Sequence, residues 1–363
     1  MLFIHSDIIK YFVLLNIYIL NLMIYNDKKI NDIFSYWLLV SLILVFTTIV
    51  IGGLTRLTNS GLSIIEWELF KGIIPPLNES DWEQYFASYK TIPQYKLLNT
   101  QMNLSEFKII FYWEYIHRLI ARIIGLFFLI PLIYFYFFKK IEKKYLNSCL
   151  IILALIILQG IIGWFMVKSG LVNDVTVSHY RLSLHLSVAL IIISIIFWVF
   201  LNKKNNTHKS FFSLKRQNFP ILILLFLVFT QIIFGAFVSG LDAGKIYQTW
   251  PLMGSNYIPN DLSFEDLKNL INFENHSLMQ FYHRNLAYLI SIYILVLTFI
   301  ILKSETKISF TPIVLVNFFL IIQIFLGVTT LVSNLNIYLA SAHQITSVLL
   351  VLSLINMYYN YIK

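Results

Sequence analysis

The stretch that decides the fold reads Phe111-Tyr-Trp-Glu-Tyr-Ile-His-Arg-Leu-Ile-Ala-Arg-Ile-Ile-Gly125. It opens a long apolar run, which is typical of the start of a membrane-spanning helix. Ionisable residues are costly inside such a span and are kept mainly where they line a site. Glu114 and His117 are three residues apart and share a helix face, and Arg118 and Arg122, four apart, share a face one step round. A carboxylate, an imidazole and two guanidiniums indicate a site for an anionic ligand that bears a metal.

The composition places the whole chain in a membrane. Of its 363 residues, 58% are hydrophobic and only 12% are charged, which is more apolar surface than a soluble protein can cover. The pI near 9.3 does not indicate nucleic-acid binding, because the basic residues fall in short loops. Cys149 is the only cysteine and lies in a predicted span, which excludes an intramolecular disulfide and a cysteine-based zinc site.

Eight apolar runs of spanning length predict an all-α polytopic membrane protein. The predicted spans are 33–54, 109–138, 146–167, 180–201, 219–238, 281–302, 310–332 and 337–359. The second run is longer than a bilayer needs, so we expect its first turns to stand in the outer interface. Residues 1–25 are interpreted as an N-terminal extension, either a start-site artefact or a loosely attached segment.

Basic residues set the predicted orientation. They follow every even-numbered span or flank the termini, whereas the long loops 55–108 and 241–280 are rich in Glu and Asp. The positive-inside rule therefore predicts that both termini are cytoplasmic. The basic residues counted are Lys28, Lys29, Lys139, Lys140, Lys143, Lys144, Lys203, Lys204, Lys209, Lys215, Arg216, Lys303, Lys307 and Lys363.

The chain also repeats itself. Four segments of the first half match four of the second half in the same order, among them 45–52 with 228–235 and 115–118 with 281–284. The repeat predicts two four-helix halves, 26–205 and 206–363, in parallel orientation. The glycines of these segments are expected to allow close approach of helices or of a ligand: Gly52, Gly53, Gly160, Gly163, Gly235 and Gly327.

Four histidines fall at repeat-equivalent places, each near the outer end of an even-numbered span: His117, His185, His283 and His343. Two imidazoles on facing helices can hold a haem iron from both sides, and this interpretation is favoured. Structural hydrogen bonding and a non-haem metal are the alternatives. Arg118, Arg122 and Arg284 are candidate partners of haem propionates. The other histidines are interpreted as solvated or structural: His5, His179, His208 and His276.

The two halves differ three residues before the first histidine of each. Glu114 stands there in the first half and Gln280 in the second. Only the carboxylate can accept a proton or stabilise a positive centre at neutral pH, which predicts chemistry in the first half and a permanent cofactor in the second. The alternative is that Glu114 merely pairs with Arg118, four residues on. For Arg56 and Glu66 in the first long loop, ordinary salt bridges are the favoured interpretation.

These residues together resemble the haem A synthase family in its mitochondrial and related bacterial form. The segment Gly52-Gly-Leu-Thr-Arg-Leu-Thr-Asn-Ser-Gly-Leu-Ser-Ile-Ile-Glu-Trp67 is similar to the signature after that family's first helix. Glu114-Tyr-Ile-His-Arg118 matches its Glu-x-x-His-Arg motif, and the resemblance covers about residues 26–363. The family oxidises the C8 methyl group of haem O to a formyl group by successive hydroxylations, for assembly of terminal oxidases.

The resemblance implies a role for each site residue. His117 and His185 would ligate the substrate haem, and Glu114 would be the essential carboxylate. His283 and His343 would hold a haem b for electron transfer. The chain has no cysteine pair in its outer loops, so it resembles the Cys-less type. Expected partners are haem O, membrane lipid, a haem O synthase, oxidase-assembly factors and an electron-transfer protein, and a homo-oligomer is compatible with the sequence.

Two other functions compete with this interpretation. A di-haem cytochrome b would carry electrons across the membrane, but it would need haems near opposite faces, whereas both histidine pairs are predicted near the outer face. A haem transporter or oxidase-assembly chaperone would not need Glu114 in one half only. Because residues 1–25 lack the Arg- and Ser-rich character of a transit peptide, the cytoplasmic membrane of a bacterium is favoured over the mitochondrial inner membrane.

Overall fold

The computed structural model describes residues 27–67, 71–138, 141–213, 215–263, 268–269, 271–303 and 310–362. The predicted extension 1–25 lies outside these ranges, as do the basic residues Lys139, Lys140, Lys307 and Lys363. Within the described ranges the chain is helical, and an isolated β-bridge joins Met253 and Asn256.

Eight of the described helices are long and apolar enough to cross a membrane, which confirms the eight predicted spans. Two shorter helices, α2 (Glu79–Tyr89) and α3 (Pro93–Leu98), lie in the first long loop. The long helices are α1 (Asp27–Leu57), α4 (Leu104–Phe138), α5 (Lys143–Asn173), α6 (His179–Lys204), α7 (Phe219–Gly240), α8 (His276–Lys303), α9 (Phe310–Val332) and α10 (Ile337–Tyr361).

Helix α4 begins at Leu104 and not at the predicted residue 109. A reciprocal cap explains the earlier start. The Asn103 side chain accepts a hydrogen bond from the Glu106 backbone N–H at 3.0 Å, and the Glu106 carboxylate accepts one from the Asn103 N–H at 2.9 Å. This pairing satisfies backbone donors that have no partner within the helix. The apolar run alone does not reveal it.

The helices pack mainly within the two halves of the chain. Helix α1 contacts α4 and α6, and α5 also packs against both; in the second half α7 packs against α8, and α9 against α10. One buried apolar cluster lies mostly within the helices of the first half, and a second lies mostly within those of the second half. The halves meet where α6 contacts α7 and where α10 contacts α1 and α6.

Aromatic residues fasten the first long loop to the start of α4. Trp82 of α2 packs edge-on against Phe111 with ring centres 4.9 Å apart, and Phe86 stacks on Phe107 at 5.1 Å. Tyr89 is fully buried and donates a hydrogen bond to Gln94 at 2.9 Å. This packing holds the loop beside the part of α4 that carries Glu114.

Candidate paired-histidine sites

The four repeat-equivalent histidines meet in two pairs. His117 of α4 faces His185 of α6, with ring centres 6.4 Å apart and ring planes at 69°. His283 of α8 faces His343 of α10 at the same 6.4 Å, with planes at 83°. The structure thus brings together the residues that the sequence singled out, one pair in each half.

Each imidazole lies against a glycine of the membrane-spanning helix that precedes its own. A Cβ atom built on that glycine would stand closer to the ring Cε1 atom than atoms normally pack. The distances are 2.8 Å for Gly52 and His117, 3.0 Å for Gly163 and His185, 3.1 Å for Gly235 and His283, and 3.0 Å for Gly327 and His343. Four helices therefore need glycine so that the ring-bearing helix can come close.

Two other glycines behave differently. Gly53 lies close to the Gln344 side chain of α10, which agrees with the expected close approach of a helix. For Gly160 the expected approach of a helix is wrong, because no neighbouring side chain or helix of the described chain comes within 4 Å of a Cβ built there. Gly160 lies on α5, which is largely exposed along its length. No other helix therefore packs on this glycine.

The ring spacing fits a metal held between two imidazoles. A metal–nitrogen bond of about 2.0 Å and a further distance of about 1.2 Å to the ring centre would separate the two centres by about 6.4 Å. No group of three or more His, Cys, Asp or Glu residues that could hold a metal occurs in the described ranges. A pair of imidazoles therefore suits a metal whose remaining ligands come from a cofactor, as the porphyrin nitrogens of haem do.

The surroundings of the rings do not favour a purely structural role. The Nδ1 atoms of His117, His185 and His343 are buried and make no hydrogen bond of normal geometry to any described residue. A buried polar atom without a partner is costly, so an imidazole kept for packing is expected to be hydrogen-bonded. In the second half, Gln231 Nε2 is 3.1 Å from His283 Nδ1.

Glu114 is buried, and both of its carboxylate oxygens accept hydrogen bonds. Only 2% of its surface is exposed. One carboxylate oxygen accepts hydrogen bonds from the Ser63 hydroxyl at 2.7 Å and the Ile64 N–H at 2.9 Å. The other oxygen pairs with Arg118 at 2.6 Å, so the i,i+4 ion pair weighed as an alternative is present. Ser63 and Ile64, which sequence reasoning did not assign to the site, lie in the signature segment after α1.

Arg118 connects the same loop to the site. Its guanidinium also donates to the Ile64 carbonyl at 2.9 Å and lies 5.2 Å from the ring centre of Trp67. Arg122 is half-buried one turn further along α4. The propionate role assigned to these arginines stays a prediction.

The second half holds its own loop through equivalent positions. Gln280 donates to the Tyr247 carbonyl at 2.8 Å, and Arg284 donates to the same oxygen at 3.0 Å and to the Thr249 carbonyl at 2.9 Å. Tyr247 follows Gly235 by 12 residues (247 − 235), as Ile64 follows Gly52 (64 − 52). The two halves thus secure one loop position in the same way, but only the first uses a carboxylate.

Arg56 joins the halves at the loop end of α1. It pairs with Asp242 at 3.2 Å and donates to the Ser239 carbonyl, both of which follow or end α7. The expectation of an ordinary salt bridge is confirmed for Arg56. His179 is buried against the Phe237 ring at 5.3 Å, in agreement with a structural role.

Comparison with known proteins decides the family. The profile of a family described as cytochrome oxidase assembly protein matches residues 35–355. The chain is 46% identical over 332 residues to the haem A synthase of Pelagibacter ubique. The aligned region covers 91% of this chain and 97% of the relative. The chain belongs to the haem A synthase family.

Two further haem A synthases support the assignment. The protein of the Wolbachia endosymbiont of Brugia malayi is 42% identical over 325 residues, covering 89% of this chain and 95% of the relative. That of Rickettsia felis is 40% identical over 335 residues, covering 91% and 98%. With eight apolar helices in its described ranges, the protein is an integral membrane member of the haem A synthase family.

Proposed function

We propose that this protein is a haem A synthase, an oxidoreductase that converts the C8 methyl group of haem O to a formyl group for oxidase assembly. Two successive hydroxylations give a geminal diol, which becomes the aldehyde on loss of water. In net terms, –CH3 and one water yield –CHO, four protons and four electrons, and the electrons are taken up by an external one-electron acceptor protein. The observation that carries the proposal is the asymmetry of two otherwise matched histidine pairs, because only the first has a buried carboxylate one helical turn away.

In this proposal His117 and His185 bind the substrate haem, and His283 and His343 bind a haem b. The resident haem supplies one-electron redox chemistry when it is bound. The protein's own part is to hold and orient both haems and to shield the first site. Arg118, Arg122 and Arg284 are proposed propionate partners, Arg118 and Arg284 at the edge where each already fastens a loop.

The position of Glu114 suggests what its charge does. Its carboxylate is held by Ser63, Ile64 and Arg118, so it is fixed before any ligand binds. A preorganised negative charge in a water-poor site favours positive charge that develops nearby. The same contacts keep the loop of the signature segment closed against α4. Glu114 is therefore proposed to act both on the charge of the first site and on its closure.

The setting follows from this activity. We propose the cytoplasmic membrane of a bacterium with both termini cytoplasmic, and two functional halves, 26–205 and 206–363. A haem O synthase would supply the substrate, and oxidase-assembly factors would accept the product. An electron-transfer protein would exchange electrons with the second half, and a homo-oligomer is compatible with the exposed apolar faces of the helices.

One observation favours a second candidate. The equal 6.4 Å separation in both pairs is also what a di-haem cytochrome b would show. The two functions differ in product, because only a synthase makes haem A.

The test uses a host that makes haem O but no haem A. Wild type, Glu114→Gln and a control, Glu83→Gln on the exposed face of α2, are expressed there, and extracted haems are weighed by mass spectrometry. The proposal expects haem A with wild type and Glu83→Gln and at least a tenfold loss with Glu114→Gln. Bound haem b without haem A in wild type, given folded protein and a working electron partner, would support the cytochrome instead.

A further inference from the structure

A polar residue precedes each ring-supporting glycine by one helical turn. Three of the four are glutamine, and the fourth, in α1, is threonine. The pairs are Thr48 and Gly52, Gln159 and Gly163, Gln231 and Gly235, and Gln323 and Gly327, each four residues apart. Residues at this spacing share a helix face, so each polar side chain faces the same histidine-bearing helix as its glycine.

Two of the glutamines bind the histidine backbone directly. Gln159 Nε2 donates to the His185 carbonyl at 2.9 Å. Gln231 Nε2 donates to the His283 carbonyl at 2.9 Å and lies 3.1 Å from the ring nitrogen Nδ1. One amide therefore reaches both the backbone and the ring of its histidine.

The third glutamine reaches its histidine through a threonine. Gln323 Oε1 accepts a hydrogen bond from the Thr346 hydroxyl at 2.5 Å, and that hydroxyl also approaches the His343 carbonyl at 3.1 Å. Gln323 Nε2 is in addition 3.5 Å from His343 Nε2. The side chain thus fixes the turn of α10 that carries the ring.

The first half lacks such an amide beside His117. The Thr48 hydroxyl donates to the Leu44 carbonyl of its own helix at 2.8 Å, which is the usual internal bond of a threonine in a helix. The His117 ring is in polar contact with the backbone of Thr48 and packs on the Gly52 surface. His117 therefore has a backbone contact and packing, whereas each of the other three histidines, or the turn that carries it, is also contacted by an amide side chain from the preceding spanning helix.

We propose that Gln159, Gln231 and Gln323 are positioning residues that fix three imidazoles as ligands, and that Thr48 leaves His117 as the one exchangeable ligand. Outer contacts orient the first ligands of a metal, and their loss typically weakens metal affinity about 10- to 100-fold. Here the amides act on orientation, because they donate mainly to the backbone that carries the rings. This inference rests on the proposed function only in taking haem as the bound group. An exchangeable His117 would allow a small external ligand to bind at the first site on the His117 side.

Carbon monoxide is a suitable probe, because it binds reduced haem iron only where a protein ligand gives way. The full-length protein is purified with its haems and reduced, and CO difference spectra are recorded at known haem content. Wild type is expected to bind CO at one haem of two. Thr48→Gln gives the first helix the Gln-x-x-x-Gly spacing of the other three sites, and it is expected to lower CO affinity at least tenfold at unchanged haem content.

The converse variant acts on the second half. Gln231→Met keeps the side-chain length without the amide and is expected to make the second haem reactive to CO. Gln248→Met, in an exposed loop where the amide bonds only Asn334 at 2.7 Å among the described contacts, is the control and should behave as wild type. If Gln231→Met does not accumulate, Thr48→Gln decides alone.

Two results would overturn the inference. One is wild-type CO binding in Thr48→Gln with both haems present, and the other is a second haem that stays unreactive in a folded Gln231→Met. Haem A formation is measured in the same membranes. Altered CO binding without haem A formation in wild type would refute the proposed function alone, whereas haem A formation with unaltered CO binding would refute this inference alone.

Discussion

Gly52 forms the surface on which the imidazole of His117 rests. A Cβ on Gly52 would stand 2.8 Å from His117 Cε1 and 3.2 Å from Nδ1, closer than carbon atoms normally pack. Gly163, Gly235 and Gly327 support the other three rings in the same way. The two paired-histidine sites are therefore shaped as much by missing side chains as by the histidines.

Gly52→Ala is expected to impair the first site selectively. Alanine stabilises a helix by up to about 1 kcal/mol over glycine, but overpacking costs about 1–3 kcal/mol, so the loss should win here. The rigid ring has to move, and the haem content of the first half should fall while that of the second stays. Gly160→Ala on α5, with open space around it, is the control and should be neutral or slightly stabilising. Equal haem content in both variants would contradict the packing argument.

Arg118→Met should be more damaging to stability than the pair Arg118→Met with Glu114→Gln. Removing the arginine alone leaves a buried carboxylate without its ion-pair partner, at a cost of about 3–5 kcal/mol. The second change removes that charge and keeps the shape. Thermal unfolding of the purified single and double variants measures the difference. If the double variant unfolds at the same or a lower temperature than Arg118→Met, the ion pair does not stabilise this part of α4.

Gln344 links the two halves next to His343. Its amide donates to the Ile49 carbonyl of α1 at 3.1 Å, and a Cβ on Gly53 would stand 1.6 Å from its Oε1. Gly53→Ala must therefore expel the flexible Gln344 side chain and break this bond. Interhelical hydrogen bonds in membranes are worth about 0.6 kcal/mol on average and up to about 1.7 kcal/mol. We expect Gly53→Ala to lose a modest amount of thermal stability. Adding Gln344→Ala to this variant should cause no further loss, because the hydrogen bond is already broken. Additive losses in the double variant would argue against the contact.

Reporter fusions test the predicted orientation. Lys203 and Lys204 end α6, so a fusion after Lys204 should report the cytoplasm, and a fusion in the loop after α7, at Thr249, should report the outer side. Alkaline phosphatase and a cytoplasm-active reporter at the same sites provide matched readings. An outer signal after Lys204 would reverse the whole topology.

The spans and the histidine pairs were predictable because each depends on a strong local signal. Apolar runs give the helices, and a histidine inside an apolar run is conspicuous, so repetition of four such histidines predicts their pairing. The start of α4 was missed because it depends on the Asn103–Glu106 cap and not on hydropathy. No helix approaches Gly160, contrary to expectation, because a glycine facing outward has the same sequence signal as one beneath a ring.

The outer contacts of the site were harder to foresee. Ser63 and Ile64 contact Glu114 across about fifty residues of sequence, and no periodicity within α4 indicates that contact. The glutamines could have been found, because Gln-x-x-x-Gly occurs in three odd-numbered spans, but their partners lie on neighbouring helices. Interhelical contacts of this kind depend on how helices rotate against one another, which a single sequence does not specify.

We propose that each histidine pair holds its own haem and that the two haems differ. The decisive measurement is mass spectrometry of the haems bound to purified His185→Ala and His343→Ala proteins, made in a host that supplies haem O. His185→Ala is expected to keep haem b but no haem O or haem A, and His343→Ala is expected to keep haem O or its oxidised product but no haem b. Loss of the same haem in both folded variants would contradict it.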